Sequence, residues 1–209
     1  MIDFSWVMDN SSQIIGLLLD HLLFVAASLA IGAAIASAMV LLTLRWPRLA
    51  TPFLTLSGLL FTVPSLAMFI LLMPFTGLSK TTSIIGLSLY SLLIVLQNVL
   101  AGLASNPPEV IEEARALGHT RWQTFIHVEL PLAMPAFLAG LRTTAVSLVG
   151  LVTVTAIIGQ GGLGQLFITG LTLGFTTPVV VSLALTVALA LCLDAAFWAV
   201  EKAVIRWER

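Results

Sequence analysis

Five apolar stretches, each long enough to cross a bilayer, dominate this chain of 209 residues. A spanning helix needs about 20 mostly apolar residues. With charges as punctuation, residues 21–44, 52–75, 82–103, 131–158 and 178–200 meet that requirement. Hydrophobic residues make up 59% of the chain and charged residues 9%, against about 25% charged in a soluble protein. Too little polar surface remains to coat a water-facing globule, so the expectation is an all-α, polytopic membrane protein with five transmembrane helices. The formal charge of −1 leaves no basic surface of the kind a phosphate backbone requires, which excludes nucleic-acid binding. A lone cysteine, Cys192, cannot form an internal disulfide and reads as a small buried thiol. Residues 1–20 contain no Lys or Arg and no small-residue cleavage pattern, so a removable signal peptide is not expected.

Lys and Arg stay preferentially on the cytoplasmic side. Arg45 and Arg48 follow the first stretch, Arg115 and Arg121 lie between the third and fourth, and Lys202, Arg206 and Arg209 close the chain. The other side receives only Lys80, and Arg142 falls inside a span. The bias predicts an external N-terminus and a cytoplasmic C-terminus. Trp46, Trp198 and Trp207 fall near the expected cytoplasmic boundaries, where an indole is favoured. No sustained repeat, low-complexity tract or linker divides residues 1–209, which read as one domain.

Charge is concentrated between the third and fourth stretches, in Glu109, Glu112, Glu113, Arg115, Arg121 and Glu129. That segment, residues 104–131, reads as two short helices. Asn106 suits the cap of the first, with Pro107 at its first position and Glu109 three residues after the cap. Gly118 suits a left-handed stop. Thr120 then caps a second helix with Gln123 at its third position, before Pro131 introduces the next span. So short a hairpin is marginal in water, which implies a docking surface for Ile111, Leu117, Trp122 and Phe125. The alternative is an amphipathic pair lying on its own bundle or on lipid head groups.

The spacing of this loop resembles that of the permease subunits of ATP-binding-cassette (ABC) importers that work with an external substrate-binding protein. Their loop reads Glu-Ala-Ala, three residues, Gly, nine residues, an aliphatic residue, one more, then Leu-Pro. Here Glu112, Glu113 and Ala114 lead to Gly118, and Val128, Glu129, Leu130 and Pro131 follow at that spacing, the departure being Glu113 in an alanine slot. The resemblance implies the MetI-like permease fold, with residues 104–131 as a cytoplasmic coupling loop. Glu112, Glu113, Ala114, Arg115, Leu117, Gly118, Leu130 and Pro131 would then couple to an ATPase. It also implies an external or periplasmic binding protein as partner, a second permease copy or a paralogous permease, and a multi-pass location in a bacterial inner membrane. The chain has no phosphate-binding P-loop, since residues 159–164 lack a following Lys-Ser or Lys-Thr. ATP and magnesium therefore belong to the partner ATPase, and no cofactor or metal is expected in this chain.

Further motifs narrow the resemblance to osmoprotectant importers, which carry quaternary ammonium solutes such as glycine betaine, choline or carnitine. These are Thr62-Val63-Pro64-Ser65-Leu66-Ala67, Ala139-Gly140-Leu141-Arg142-Thr143 and Ile158-Gly159-Gln160-Gly161-Gly162-Leu163-Gly164. Methionine-importer permeases share the glycine-rich segment, so a methionine or other amino-acid importer is the alternative. Gln97-Asn98 stands where the osmoprotectant group often has a basic residue before the asparagine. An ATP-independent secondary transporter, or an intramembrane serine enzyme built on Gly86-Leu87-Ser88, is the alternative of another class; for the enzyme, no transmembrane histidine is expected to activate the serine.

Within the spans, Arg142 and Asp194 are expected at matched depth, about 10 Å from the cytoplasmic end. A mutual intramembrane ion pair answers the cost of burying either charge alone; independent snorkelling or other polar partners are the alternative. Pro64 frees the carbonyl of Leu60 and kinks the second span, with Thr62 and Ser65 available to its backbone. Thr62, Pro64, Ser65, Tyr90, Gln97 and Asn98 are candidate pathway or gate residues, or else packing and interhelical hydrogen bonds. Gly159, Gly161, Gly162 and Gly164 form an external segment that either meets the binding protein, gates the path or simply turns the chain. Asp20 and His21 read as interface residues where the first span begins.

Overall fold

The computed structural model describes residues 3–205. All regular structure among them is helical. Short helix α1 (Phe4–Asp9) is capped by Asp3, whose carboxylate accepts the amides of Ser5 and Trp6. Hydrogen bonds from the Ser5 hydroxyl first, and from the Trp6 amide, hold that carboxyl below its usual range. The Asp3 amide donates to Thr177 Oγ1 at 2.9 Å, tying the described N-terminal end to the last helix.

Helix α2 (Ser11–Arg45) is the first span. It begins well before residue 21, because polar Ser11, Ser12, Gln13 and Asp20 are tolerated in a helix that extends past the hydrocarbon. The second expected span is not one kinked helix. It is α3 (Ala50–Thr62) and α4 (Ser65–Thr76), bent by 98°. Val63 precedes a proline and is driven extended (ψ 127), and Pro64 follows it (ψ 134), so two consecutive non-helical residues break the rod. The third span is α5 (Lys80–Ala104), capped by Ser79. Helix α6 (Pro108–Ala116) follows, then α7 (Arg121–Thr124), a π turn (Phe125–Glu129) and α8 (Leu130–Val154). Helices α9 (Gly164–Leu173) and α10 (Thr176–Val204) complete the described chain. Among the described residues four helical runs are long and apolar enough to cross a membrane, and the bent pair counted as one span brings the number to five.

Helix α5 is the hub. It packs on α2, α3, α4 and α8, and 56% of its most apolar window is buried, against 6% for α10. Small residues set these approaches. A Cβ on Gly32 of α2 would lie 1.7 Å from Ser91 Oγ of α5, and one on Gly140 of α8 would lie 2.6 Å from Asn98 Cβ. One core joins Phe24, Val25, Phe69, Leu87, Leu148, Val149 and Val152; another joins Ala36 and Val40 to Leu92, Val95, Leu96 and Val99. Cys192, expected buried, is exposed, because the outer face of α10 has no cover within this chain.

His21 is fully buried rather than interfacial. Its Nδ1 accepts the Leu163 amide at 3.3 Å, so its Nε2 donates to the Val149 carbonyl at 3.1 Å. The Ser182 hydroxyl of α10 donates to the Leu163 carbonyl at 2.8 Å. Both polar groups of Leu163 are thereby held by side chains of two different spans. A transmembrane histidine exists after all, but it is a fully bonded staple, and the Ser88 hydroxyl donates to its own helix at Ile84. Asp20 pairs instead with Lys80 at 2.5 Å.

Replacing His21 with Leu strands the Leu163 amide and is expected to cost about 1–3 kcal/mol. Replacing Gly162 with Val drives a Cβ within 2.8 Å of the His21 backbone at φ +50 and is expected to cost at least as much. Both changes should lower the thermal unfolding midpoint of the purified protein in detergent, whereas Leu183→Ala, on the exposed face of α10, should not.

Candidate functional site

The charged loop is an ordered hairpin whose parts are set by local chemistry. Pro108 occupies the first position of α6 and forces Pro107 extended (φ −60, ψ 125), so Pro107 is the cap and the helix starts one residue later than the sequence suggests. Asn106, freed from capping, is buried and donates from Nδ2 to the Glu129 carbonyl at 2.9 Å. That bond closes the base of the loop. Gly118 takes φ +88, and the His119 and Gly118 amides return to the carbonyls of Ala114 and Arg115 at 3.2 and 2.9 Å, a Schellman stop. Thr120 and Gln123 then form the expected capping box.

The second helix of the hairpin is not separate from the next span. The Leu130 amide reaches back to the Phe125 carbonyl across the π turn, and the widened turn admits Pro131 without a break. Residues Arg121–Ile158 form one continuous run of 38 residues. Pro131 therefore lies inside a rod rather than starting one, with Leu130 beside it at the junction, both half-buried.

Glu112, Glu113, Arg115, Leu117 and Gly118 are exposed on this hairpin, and Ala114 is buried against it. Leu117 is 82% exposed and Trp122 56%. Of the expected docking residues, Ile111 is half-buried, and Phe125 is buried beneath Trp122, with ring centroids 5.7 Å apart. His119 and His127 meet edge to face at 6.2 Å.

The other polar candidates do not gather into one site. The Tyr90 hydroxyl donates to the Val63 carbonyl, so this tyrosine seals the break at Pro64. The Leu60 carbonyl, expected free, accepts the Val63 amide at 3.3 Å, and the Thr62 hydroxyl takes the Leu59 carbonyl at 2.7 Å. Thr62 and Pro64 are exposed and Ser65 is half-buried. Asn98 donates to Ile94 on its own helix at 2.8 Å and packs on Gly140, while Gln97 faces outward. Arg142 of α8 and Asp194 of α10 form a two-pronged pair, Nε–Oδ1 and Nη2–Oδ2 both 2.6 Å. Glu201 Oε2 lies 3.9 Å from Arg142 Nη1, and both partners of the close pair keep about a third of their side-chain surface exposed (33% and 39%). Gly161, Gly162 and Gly164 are buried in the knot around Leu163 and Gly159 is exposed; Gln165 donates to the Gly159 carbonyl at 2.7 Å. Lys202 Nζ sits 3.7 Å above the Trp198 ring. Trp207, Arg206 and Arg209 lie outside the described residues.

Sequence reasoning missed Asn106 as a tie, His21 as a staple and the continuity of Arg121 with α8. Two signals were present: the Pro107-Pro108 pair displaces the cap, and a histidine embedded in an apolar run calls for buried partners. Among the described residues, no group of three or more His, Cys, Asp or Glu is placed to hold a metal ion.

A family model described as "Binding-protein-dependent transport system inner membrane component" matches residues 28–206. The chain belongs to this family. It is a permease subunit of an ABC importer, multi-pass in the inner membrane, with ATP hydrolysis on a separate subunit and a binding protein as the other partner. It is 33% identical over 194 residues to the osmoprotectant import permease protein OsmW of Salmonella typhimurium, covering 90% of each chain. It is 32% identical to the carnitine transport permease protein OpuCB of Listeria monocytogenes, covering 90% of this chain and 88% of that one. Its fold matches the methionine ABC transporter MetNI in an inward-facing crystal form, with a TM-score of 0.80 and 24% identity over 91% of this chain and 95% of that one. An amino acid ABC transporter crystallised with histidines matches with a TM-score of 0.82 and 20% identity, over 97% and 99% of the two chains.

Arg142→Gln or Asp194→Asn alone leaves an uncompensated charge near the bilayer, and each is expected to lower yield and thermal stability. The double change should recover part of the loss, a coupling that a double-mutant cycle measures. Tyr90→Phe, which strands the Val63 carbonyl, is expected to cost about 1–3 kcal/mol in the same assay.

Proposed function

We propose that this permease imports a small quaternary ammonium osmoprotectant, such as glycine betaine, choline or carnitine, delivered by its external binding protein. The observation that carries the substrate class is the similarity, at 29–33% identity, to osmoprotectant, carnitine and choline permeases of several bacteria. Only one tyrosine is present, and it is committed to Val63. With the tryptophans mainly near span boundaries, aromatic recognition of the cation falls to the binding protein, and the permease supplies a weakly binding passage.

The path forms between two permeases, this chain with a second copy or with a paralogue. A half-exposed ion pair on a nearly uncovered α10 favours such cover, since charge facing lipid is costly. The N-terminus is external and the C-terminus cytoplasmic, in keeping with the basic residues that follow the first, third and fifth spans. Glu112, Glu113, Ala114, Arg115, Leu117, Gly118, Leu130 and Pro131 form the handle held by the ATPase. Moving a two-state equilibrium from 1:99 to 99:1 takes about 5.5 kcal/mol, and an exposed ion pair contributes about 0–1 kcal/mol. The coupling force therefore passes through the apolar contacts of Leu117 and its neighbours, and charge sets the register. ATPase closure draws paired loops together and turns the bundle from inward-open to outward-open.

Purified with its ATPase and binding protein, the complex should hydrolyse ATP faster with betaine, choline or carnitine; stimulation by methionine alone would reject the substrate class. Gly118→Val meets no obstructing atom but is strained at φ +88, by about 1–2 kcal/mol. It should abolish stimulation, and Gly118→Asn should retain most of it.

A further inference from the structure

We propose that Arg45, Arg48 and Arg121, with Trp46 and Trp122, form a binding site for the headgroup phosphate of an anionic phospholipid. Two cavities share a lining residue where α2 ends. One, of about 290 Å³, is lined by Leu41, Leu44 and Arg45 of α2 and by Arg121 and Trp122 of the rod. The other, of about 540 Å³, is lined by residues Arg45 to Leu49 of the following turn. Arg45 is the wall they share. Two elements distant in sequence, α2 and the start of the rod, thus each contribute an arginine to the wall of one recess.

None of the three arginines is neutralised within the chain. Among the described residues the ion pairs are Lys80 with Asp20, and Arg142 with Asp194 and Glu201. The four glutamates of the loop, Glu109, Glu112, Glu113 and Glu129, make no ion pair with any of them. Arg45 gains from the negative end of the α2 dipole, but Arg48 and Arg121 have no such offset. Like charges gathered without a counter-charge leave the recess short of an anion, and the planar fork of Arg matches phosphate oxygens two at a time.

The rest of the lining specifies a lipid. Leu41 and Leu44 continue the apolar surface of a spanning helix directly below the arginines, and Leu41 is 45% exposed. Trp46 and Trp122, 55% and 56% exposed, flank the recess as indoles do where hydrocarbon meets head groups. A soluble anion would use the guanidiniums and leave this apolar wall wet, whereas a phospholipid fills both zones. Arg121 and Trp122 are also the first residues of the run to Ile158, so an occupied site ties the free end of that rod to α2.

The test is native mass spectrometry of the full-length chain titrated with phosphatidylglycerol and with phosphatidylcholine. Each arginine near a membrane surface contributes a factor of about five. Arg45→Gln combined with Arg121→Gln should therefore weaken phosphatidylglycerol binding about twenty-five-fold and leave phosphatidylcholine unchanged. Lys80→Gln, at the start of α5 and paired with Asp20, should change neither, and Arg45→Lys with Arg121→Lys, which keeps the charge but not the planar fork, should lose less binding than the double Gln variant and show that the fold is intact. Equal binding of the two lipids by the wild type, or unchanged binding by the double Gln variant, would overturn the proposal. So would displacement of the lipid by millimolar inorganic phosphate, which would mark a free-anion site. Loss of ATPase co-purification with lipid binding intact would assign the arginines to the ATPase and overturn it equally.

Discussion

Inside hydrocarbon no water is available to a backbone group, so every N–H and C=O released by an irregularity must find a partner in the protein. The described chain breaks its helices within the second span at Pro64 and at the glycine-rich turn of residues 159–164, and each break is sealed by a side chain from another span. Tyr90 of α5 closes the first by taking the Val63 carbonyl. His21 of α2 and Ser182 of α10 close the second by holding the Leu163 amide and carbonyl. These seals fix the tertiary arrangement as well as the local one. His21 can reach Leu163 and Val149 together only if α2, α8 and the turn meet at one point, and the absence of a Cβ at Gly162 permits that approach.

This division explains what was legible in the sequence. Spans follow from length and hydropathy, which respond to the solvent rather than to neighbours, so their number and order emerge directly. The stop at Gly118 and the capping box at Thr120 are equally local, because each is completed within a few residues. Features that needed a distant partner were not legible. In sequence Asn106 looks like a cap because its partner, the Glu129 carbonyl, lies 23 residues away. His21 looks interfacial because Leu163 and Val149 are more than 120 residues distant. Pro64 alone implies a kink, and the extended Val63 before it adds the second non-helical residue that makes a break. Pro131 looks like a beginning because a proline usually is one, and only the π turn before it allows the helix to continue. The burial of Phe125 beneath Trp122 likewise depends on how the rod leaves the loop.

That continuity shapes how force can travel. At 1.5 Å per residue, the run of 38 residues from Arg121 to Ile158 is about 57 Å long, nearly twice the roughly 30 Å of hydrocarbon. A run of this length exceeds the hydrocarbon thickness and needs no flexible joint between loop and span. The Asn106–Glu129 bond holds α6 to its base, so a push on α6 acts on the rod rather than folding the loop aside. About 32 Å further along the rod, Arg142 grips Asp194 through two bonds, and at the far end Leu163 is fastened to His21 and Ser182. A helix attached at those two levels to α10, and at one of them to α2, can tilt only by carrying its neighbours with it. The loop is therefore joined to the opposite end of the bundle by one continuous helical run and a few side-chain bonds, and on the proposed coupling role force applied at α6 reaches that end by a tilt of the run.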